Sequence, residues 1–306
     1  MVICRSIAVR SGTTTVNTTI VCVAGIRFVR TIDERQTTRD RLKPILRRNE
    51  TMSQSLDVDK LEQEVKAVYR NVATEPDDEF HFEMGRPLAV RLGYPPADLD
   101  RIPEDALESF AGVGYHFDLA DLQPGERVLD LGSGSGTDAF VAALHVGEAG
   151  SVTGLDMTDE QLAKARELRD ATGMERVSFE KGYIEDLPFE DESFDVVISN
   201  GVINLSAEKD RVFEEVRRVL EPDGRLAISD IISEQRLAES IKTDADLWAA
   251  CIGGAEQVDD YTSLIEMPGF DVTEVRENTE YEFTSEQAQG ACQKYGVKSV
   301  SLAARK

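Results

Sequence analysis

The stretch Val128-Leu129-Asp130-Leu131-Gly132-Ser133-Gly134-Ser135-Gly136 decides the fold of this chain. Its apolar start is typical of a buried strand, and glycine follows at every second position. Glycine adopts backbone angles that other residues avoid and lets a ligand approach the backbone, so the pattern predicts a ligand-binding loop between a strand and a helix. A second predicted strand ends at Gly154-Leu155-Asp156, one strand–helix–strand step later.

The acidic residue in front of the glycines indicates which ligand the loop binds. A dinucleotide places its pyrophosphate over such a loop, at the N-terminus of the following helix. The carboxylate of Asp130 would repel a pyrophosphate. It suits S-adenosylmethionine, which has no phosphate and carries an ammonium and a sulfonium group instead. The sequence therefore predicts S-adenosylmethionine as the cofactor and disfavours NAD.

Predicted strands and helices alternate around the loop. The strands are 126–131, 151–155, 177–180, 194–199 and 225–230, with helices at 137–146, 159–171 and 207–220. Helices near 243–252 and 259–266 and strands near 270–276 and 297–304 follow. This alternation predicts an α/β, Rossmann-like fold, with a seven-stranded, mostly parallel sheet and helices on both faces. Thr158 and Gln161 predict a capping box at the start of helix 159–171.

Charge divides the chain into segments. Residues 1–51 hold 10 basic and 4 acidic residues, whereas residues 52–306 hold 24 basic and 54 acidic ones. Because the balance changes sign at Met52, we interpret residues 1–51 as an atypical basic segment, either disordered or translated upstream of the working start; a targeting or binding arm is the alternative. Residues 52–120, which include a predicted amphipathic helix at 55–73, form a helical cap and lead-in. Residues 121–306 form the domain with the glycine loop.

Composition limits the partners and the compartment. The net charge of −24 disfavours nucleic acid and anionic membranes as partners, and no apolar run reaches the length of a membrane span. An acidic chain in which 10 of 34 basic residues are lysine resembles the proteins of salt-loving microbes. The cysteines show neither metal-ligand spacing nor a disulfide framework, which predicts a reduced, cytoplasmic protein: Cys4, Cys22, Cys251 and Cys292. A monomer and a dimer remain equally open.

Polar residues at strand ends predict the cofactor site, because ligands of open α/β sheets lie beyond the carboxyl ends of the strands. Asp156 can accept both ribose hydroxyls. Ile184 offers an apolar face to adenine, and Glu185 an acceptor for its amino group. The full predicted cofactor-binding set is Asp130, Gly132, Ser133, Gly134, Gly136, Asp156, Met157, Ile184, Glu185 and Asn200.

These motifs resemble those of the class I S-adenosylmethionine-dependent methyltransferases over about residues 120–230. More narrowly, the chain resembles the arsenite methyltransferase family over about residues 55–276. The narrower resemblance rests on the stretches 91–94 (RLGY), 197–206 (VISNGVINLS) and 248–255 (WAACIGGA). It implies that residues 121–306 are a methyltransferase domain that transfers a methyl group to arsenite. It also implies which residues line the cofactor: Asp130, Gly132, Gly134, Asp156, Ile184, Glu185 and Asn200.

The chain departs from that family at the acceptor. The arsenite methyltransferases carry cysteines at three places, and trivalent arsenic is a soft centre held by thiolates. Here Val113 occupies the first place, Gly201 the second and Cys251 the third. One protein thiolate leaves two bonds of a trigonal arsenic to free thiols or to Cys292. Cys251 is therefore the candidate acceptor thiolate, and its alternative role is that of a small buried apolar residue.

Two other functions stay open. The acceptor is either arsenite or another small molecule, such as a quinone- or sterol-like compound methylated on carbon or oxygen. An organic acceptor needs a base, for which His116 in the lead-in loop is the candidate, although packing of its ring is the alternative role. A protein of another class, a sensor or scaffold that binds the cofactor without turnover, is the third hypothesis.

Overall fold

The computed structural model describes residues 7–11, 14–23, 26–31, 58–76, 80, 82–242, 244, 247–248 and 251–306. The chain divides into two compact units, Met1–Thr51 and Met52–Lys306. In the first unit, three strands pair antiparallel in chain order: β1 (Ile7–Ser11), β2 (Thr14–Val23) and β3 (Ile26–Thr31). Within the described ranges, no helix has the length and apolar character that a membrane span requires.

The second unit begins with a helical region. It contains α1 (Val58–Thr74), α2 (Gly85–Leu92), α3 (Pro96–Leu99), α4 (Glu104–Glu108) and α5 (Phe117–Ala120). Apolar residues recur along α1 at helical spacing, so the helix buries Leu61, Val65 and Val72 on one side. The amphipathic helix predicted at 55–73 is thus present, although residues 55–57 lie outside the described part of the chain.

A central sheet follows, in the order β10-β11-β8-β7-β4-β5-β6. Its strands are β4 (Arg127–Leu131), β5 (Ser151–Asp156), β6 (Val177–Lys181), β7 (Phe194–Asn200), β8 (Leu220–Ser233), β10 (Asp271–Glu277) and β11 (Lys298–Arg305). Strands β4 to β8 pair parallel, whereas β11 is antiparallel to both of its neighbours. The predicted seven-stranded, mostly parallel sheet is confirmed, and β9 (Glu256–Gln257) adds a short eighth strand beside β8.

Helices flank the sheet as the alternation predicts. They are α6 (Thr137–Val146), α7 (Asp159–Thr172), α8 (Lys209–Val219), α9 (Glu239–Lys242), α10 (Val258–Glu266) and α11 (Glu286–Tyr295). The helix predicted near 243–252 falls partly outside the described residues. Strand β8 is longer than the predicted 225–230, because Leu220 and Arg225 both pair with β7. Between these two pairs the register is irregular, because a step of two residues in β7 corresponds to a step of five in β8, and Asp223 has a left-handed φ of 66°.

The glycine loop joins β4 to α6. The loop is held by Leu155 O, which accepts hydrogen bonds from the backbone N–H groups of Gly132 (2.8 Å) and Ser133 (2.9 Å). Gly132 has a φ of +68°, and a Cβ built there would lie 2.4 Å from Val202 Cγ2. This position therefore requires glycine for both its backbone conformation and its space.

The capping box predicted at α7 is wrong. Thr158 is the N-cap residue, but its side chain makes no capping hydrogen bond; its backbone N–H donates to Asp156 Oδ1 at 2.8 Å. The side chain of Gln161 turns toward the cofactor loop instead. Its Oε1 accepts from Ser135 Oγ at 2.5 Å, and its Nε2 donates to Tyr69 O at 2.9 Å. Gln161 thus links the glycine loop to α1.

Candidate active site

A cavity of about 430 Å³ opens at the carboxyl ends of β4, β5 and β7. The glycine loop forms its floor, and the loop after β6 contributes Tyr183 and Ile184 to its side. Helix α1 forms the facing wall with Val58, Leu61 and Val65. The sheet and the N-terminal helices thus enclose one ligand-sized space.

The structure brings the predicted cofactor residues together in this cavity. Those that line it are Asp130, Gly132, Ser133, Gly134, Asp156, Met157, Ile184, Glu185 and Asn200. Gly136 is not part of the lining: it is the N-cap residue of α6, and a Cβ there would lie 2.7 Å from the ring of Phe179. Gly136 therefore allows the helix to pack closely on the sheet.

The cavity is strongly acidic. Seven lining residues carry carboxyl groups: Glu62, Asp130, Asp138, Asp156, Glu185, Asp186 and Glu208. The described residues that line it include no lysine, arginine or histidine. A concave surface with carboxylates and no basic side chain attracts cationic groups and repels phosphate.

Asp130 lies at the centre of this acidic surface. Its side chain is 2% exposed, and its Oδ2 has no hydrogen-bond partner among the described residues; the same holds for the nearby Ser133 Oγ. Burial raises the pKa of Asp130 well above its usual value, and the neighbouring Asp138 and Asp156 raise it further. A buried polar atom without a partner is costly, so these two atoms fit a site built for a polar, positively charged ligand group.

Asp156 holds the glycine loop in place. Its Oδ2 accepts from the backbone N–H of Gly134 at 2.9 Å, and its Oδ1 from that of Thr158 at 2.8 Å. Burial raises the pKa of Asp156, and the backbone hydrogen bonds oppose that rise. Each carboxylate oxygen keeps further acceptor capacity, so Asp156 can still receive the hydroxyl groups of a ribose.

Side-chain hydrogen bonds join helix α1 to the loop after β6. Lys66 Nζ donates to Tyr183 OH at 2.7 Å, and Tyr183 OH donates to Glu62 Oε1 at 2.9 Å. In the same loop, Glu185 accepts a hydrogen bond from Ser206 Oγ. These contacts fix both the wall of the cavity and the carboxylate predicted to face the adenine amino group.

The sequence does not single out Tyr94 and Asp138 as site residues. Tyr94 OH donates to Asp138 Oδ1 at 2.6 Å, and Asn200 Nδ2 lies 3.0 Å from both Tyr94 OH and Asp138 Oδ2. Asn200 also lies 3.0 Å from Gly114 O, and its Oδ1 accepts from Val113 N at 2.8 Å. The available signals are weak: Tyr94 belongs to the RLGY stretch, and Asp138 lies in the first turn after the glycine loop.

The three family cysteine positions converge beside Asn200. A Cβ built on Gly201 would lie 3.1 Å from Val113 Cγ1, and Cys251 Sγ lies 4.0 Å from Gly201 O. Val113 and Cys251 belong to one apolar cluster. Strand β11 holds Val113, which occupies the first of these positions, because Ser299 Oγ donates a hydrogen bond to Val113 O at 2.5 Å.

Cys251 lies behind the cavity wall and does not line the cavity itself. Its neighbour Tyr69 does line the cavity. Burial raises the pKa of Cys251 to about 12, so the free site holds a thiol and not a thiolate. The residue adopts a left-handed φ of 59°. Cys292 on α11 and Tyr281 pack against the same apolar cluster.

The structure does not bring His116 to the cavity wall. The ring is fully buried and stacks on Phe117, with 4.9 Å between ring centroids. Its Nδ1 lies 3.4 Å from Ser229 Oγ, and burial lowers its pKa. The role of His116 as a base therefore stays a prediction.

Comparison with known proteins agrees with this geometry. Residues 122–269 match the family model described as a methyltransferase domain. The chain is 43% identical over 194 residues to the arsenite methyltransferase of Halobacterium salinarum, covering 62% of this chain and 49% of that protein. It is 48% identical over 156 residues to that of Aquipseudomonas alcaligenes, covering 49% and 45%. The chain thus spans about half the length of these curated relatives.

A solved structure is also similar to this chain. The crystal structure of CrArsM, an arsenic(III) S-adenosylmethionine methyltransferase from Chlamydomonas reinhardtii, matches with a TM-score of 0.59 and 38% identity, over 69% of this chain and 72% of that one. The sheet, the cavity and the domain match are those of a class I S-adenosylmethionine-dependent methyltransferase. Within that class, the chain is similar to the arsenite methyltransferases.

Proposed function

We propose that this protein transfers a methyl group from S-adenosylmethionine to a small molecule, and that trivalent arsenic is its first candidate acceptor. The acidic cavity carries the proposal: its described lining has seven carboxyl groups and no basic side chain. Such a surface suits a ligand with an ammonium and a sulfonium group and opposes any nucleotide with a phosphate. Similarity to arsenite methyltransferases supports the acceptor.

The residues of the chain bind and orient the cofactor, and they exclude water from the cavity. When bound, the cofactor supplies a methyl group on a positively charged sulfur, which is open to in-line displacement. Asp130 would face its cationic end, Asp156 its ribose and Glu185 its adenine. Helix α1 covers the cavity with Leu61 and Val65 and keeps water away. The protein therefore promotes transfer by alignment in a dry space.

Arsenite binding needs thiols beside this cavity, and Cys251 is the residue we assign to it. An As–OH group condenses with a thiol: an As–S bond forms, and the hydroxyl leaves with the thiol proton as water. A raised thiol pKa therefore does not prevent binding. Cys292, which packs against the same apolar cluster, is the second protein thiol proposed here, and free thiols complete the coordination.

The test is arsenic methylation by the full chain in high salt, with S-adenosylmethionine, arsenite and a thiol. Methylated arsenic is separated by chromatography and measured by elemental detection. We expect product from the wild type and from a C4S/C22S control, and at least tenfold less from C251S. Absence of methylated arsenic with any monothiol or dithiol would exclude arsenite as the acceptor.

A small organic acceptor is the second candidate, and Val113 and Gly201 favour it. They replace two of the three thiol positions with an apolar side chain and with no side chain, so the site lacks thiols that would favour arsenic, and a quinone- or sterol-like compound is the proposed acceptor. The test is mass spectrometry of cell-extract fractions and a quinone panel after incubation with methyl-labelled cofactor. A labelled organic product that C251S still forms would support this candidate. Cofactor binding without any turnover would identify a sensor or scaffold.

We also propose roles for the two segments of the chain and a habitat for the protein. Catalysis belongs to residues 121–306, with residues 52–120 as a cap. The protein works in the cytoplasm of a salt-loving cell, since the acidic excess of residues 52–306 needs concentrated cations to screen it. We expect the melting temperature to rise between 0.1 and 3 M KCl, by about 10 °C or more. A melting temperature that is independent of salt would contradict the proposal that the protein works in a salt-loving cell.

A further inference from the structure

Asp138 is a second buried carboxylate beside Asp130. It lies in the first turn of α6, is 6% exposed and lines the cavity. Its Oδ1 accepts from Tyr94 OH at 2.6 Å, and its Oδ2 lies 3.0 Å from Asn200 Nδ2. Both partners are neutral, so they orient the carboxylate without compensating its charge.

The contacts of Asp138 indicate which part of a bound cofactor it would face. Asp156 and Glu185, the residues assigned to ribose and adenine, follow β5 and β6. Asp138 lies at the opposite end, where Asn200 joins it to the segment that contains Val113. This end adjoins the three family cysteine positions, so it is where the reacting sulfur of the cofactor and the acceptor must meet.

We propose that Asp138 is a specificity-determining residue which, together with Asp130, selects positively charged S-adenosylmethionine over its neutral-sulfur product, S-adenosylhomocysteine. The inference rests on the proposed function of this cavity. The two ligands share the adenosine, the ammonium and the carboxylate, and differ by the methyl group and the positive charge on sulfur. After transfer, the carboxylates no longer face a sulfonium, and the cavity loses part of its attraction for the ligand. Charge thus favours exchange of product for fresh cofactor.

The test is calorimetric binding of three ligands to the full chain: S-adenosylmethionine, S-adenosylhomocysteine and sinefungin, which carries an amine in place of the sulfonium. In D138N, we expect the Kd of both cationic ligands to rise about tenfold. The Kd of S-adenosylhomocysteine should change less than about twofold, because it has no charge on sulfur. Sinefungin separates the effect of charge from that of the methyl group.

Controls distinguish charge from structure. E167Q removes an equal charge from an exposed position on α7, outside the cavity lining, and should leave the three affinities in their wild-type ratio. Y94F removes one hydrogen bond to Asp138 while keeping its charge, and should affect the three ligands alike. Asp138→Ser gives a second neutral variant if D138N does not fold.

Two results have distinct meanings. Equal weakening of S-adenosylmethionine and S-adenosylhomocysteine in D138N and Asp138→Ser would overturn this inference and leave the proposed function intact. Failure of the wild type to bind any of the three ligands would instead overturn the proposed function.

Discussion

The two ends of the active site differ in how strictly their chemistry is specified. At the proposed donor end, Asp156 accepts hydrogen bonds from the backbone N–H groups of Gly134 and Thr158, and Asp130 Oδ2 has no partner among the described residues. At the acceptor end, Val113, Gly201 and Cys251 form an apolar contact in which one thiol remains. Under the proposed function, the donor end binds one ligand of fixed charge and shape, whereas the residues at the acceptor end can differ with the methyl acceptor. The affinity of variants at each end for S-adenosylmethionine therefore tests whether a change at one end affects the other.

Removal of the central carboxylate should give the largest effect on that affinity. We expect D130N to weaken S-adenosylmethionine binding about fiftyfold, the cost of losing a hydrogen bond to a charged group in a buried site. The same change should raise the melting temperature of the free protein, because the cost of a buried ionisable group beside two other carboxyl groups disappears. Calorimetry and thermal denaturation measure the two effects. Unchanged affinity would remove Asp130 from the cofactor site.

The glycine loop should be the next most sensitive feature. In G132A, the new Cβ would lie 2.4 Å from Val202 Cγ2 at a φ of +68°. We expect a loss of about tenfold in cofactor affinity from this strain. A G132A/V202A variant should recover part of the loss, because it removes the steric contact and keeps the backbone strain. Full affinity in G132A would show that the loop tolerates a side chain.

Cofactor binding should also depend on pH. Burial, with Asp138 and Asp156 nearby, raises the pKa of Asp130, and only its ionised form attracts a cation. Affinity for S-adenosylmethionine should therefore increase as the pH rises through the titration of Asp130, and D130N should flatten the profile. The free protein should show the opposite trend in its free energy of unfolding. A carboxyl group whose pKa is higher in the folded state takes up its proton there first, so its contribution to stability grows as the pH falls.

A substitution at the acceptor end should have the smallest effect on the cofactor. C251A is expected to change the Kd of S-adenosylmethionine by less than about twofold, because Cys251 does not line the cavity. It should lower the free energy of unfolding by about 1 kcal/mol through lost packing. Calorimetry and denaturant titration provide the measurements. A tenfold loss of cofactor affinity would show that the two ends are coupled.

The predictable features of this chain are those encoded locally. Hydrophobic periodicity and the glycine loop predicted the order of strands and helices, and the strand ends and the loops after them predicted nine of the residues that line the cavity. The early start of β8 was not predicted, because the local strand signal begins at residue 225, whereas pairing with β7 already involves Leu220. Gln161 has the spacing of a capping box, yet tertiary contacts with Ser135 and Tyr69 determine its conformation.

The unpredicted part of the site depends on distant contacts. Tyr94 reaches Asp138 across 44 residues of sequence, and Asn200 reaches Tyr94 across 106. No local pattern encodes such contacts, since a tyrosine after a helix and an acid in a first helical turn are both common. For the same reason, the amphipathic pattern of α1 predicted a helix but not that it forms a wall of the cavity.

The hydrogen bond from Ser299 to Val113 has a consequence for biosynthesis. These residues are separated by 186 positions, whereas every described residue that lines the cofactor cavity lies between 58 and 208. On the ribosome, the complete cavity lining therefore emerges well before β11 does. The segment that contains Val113 can therefore form its hydrogen bond to β11 only after the last cavity-lining residue has been synthesised.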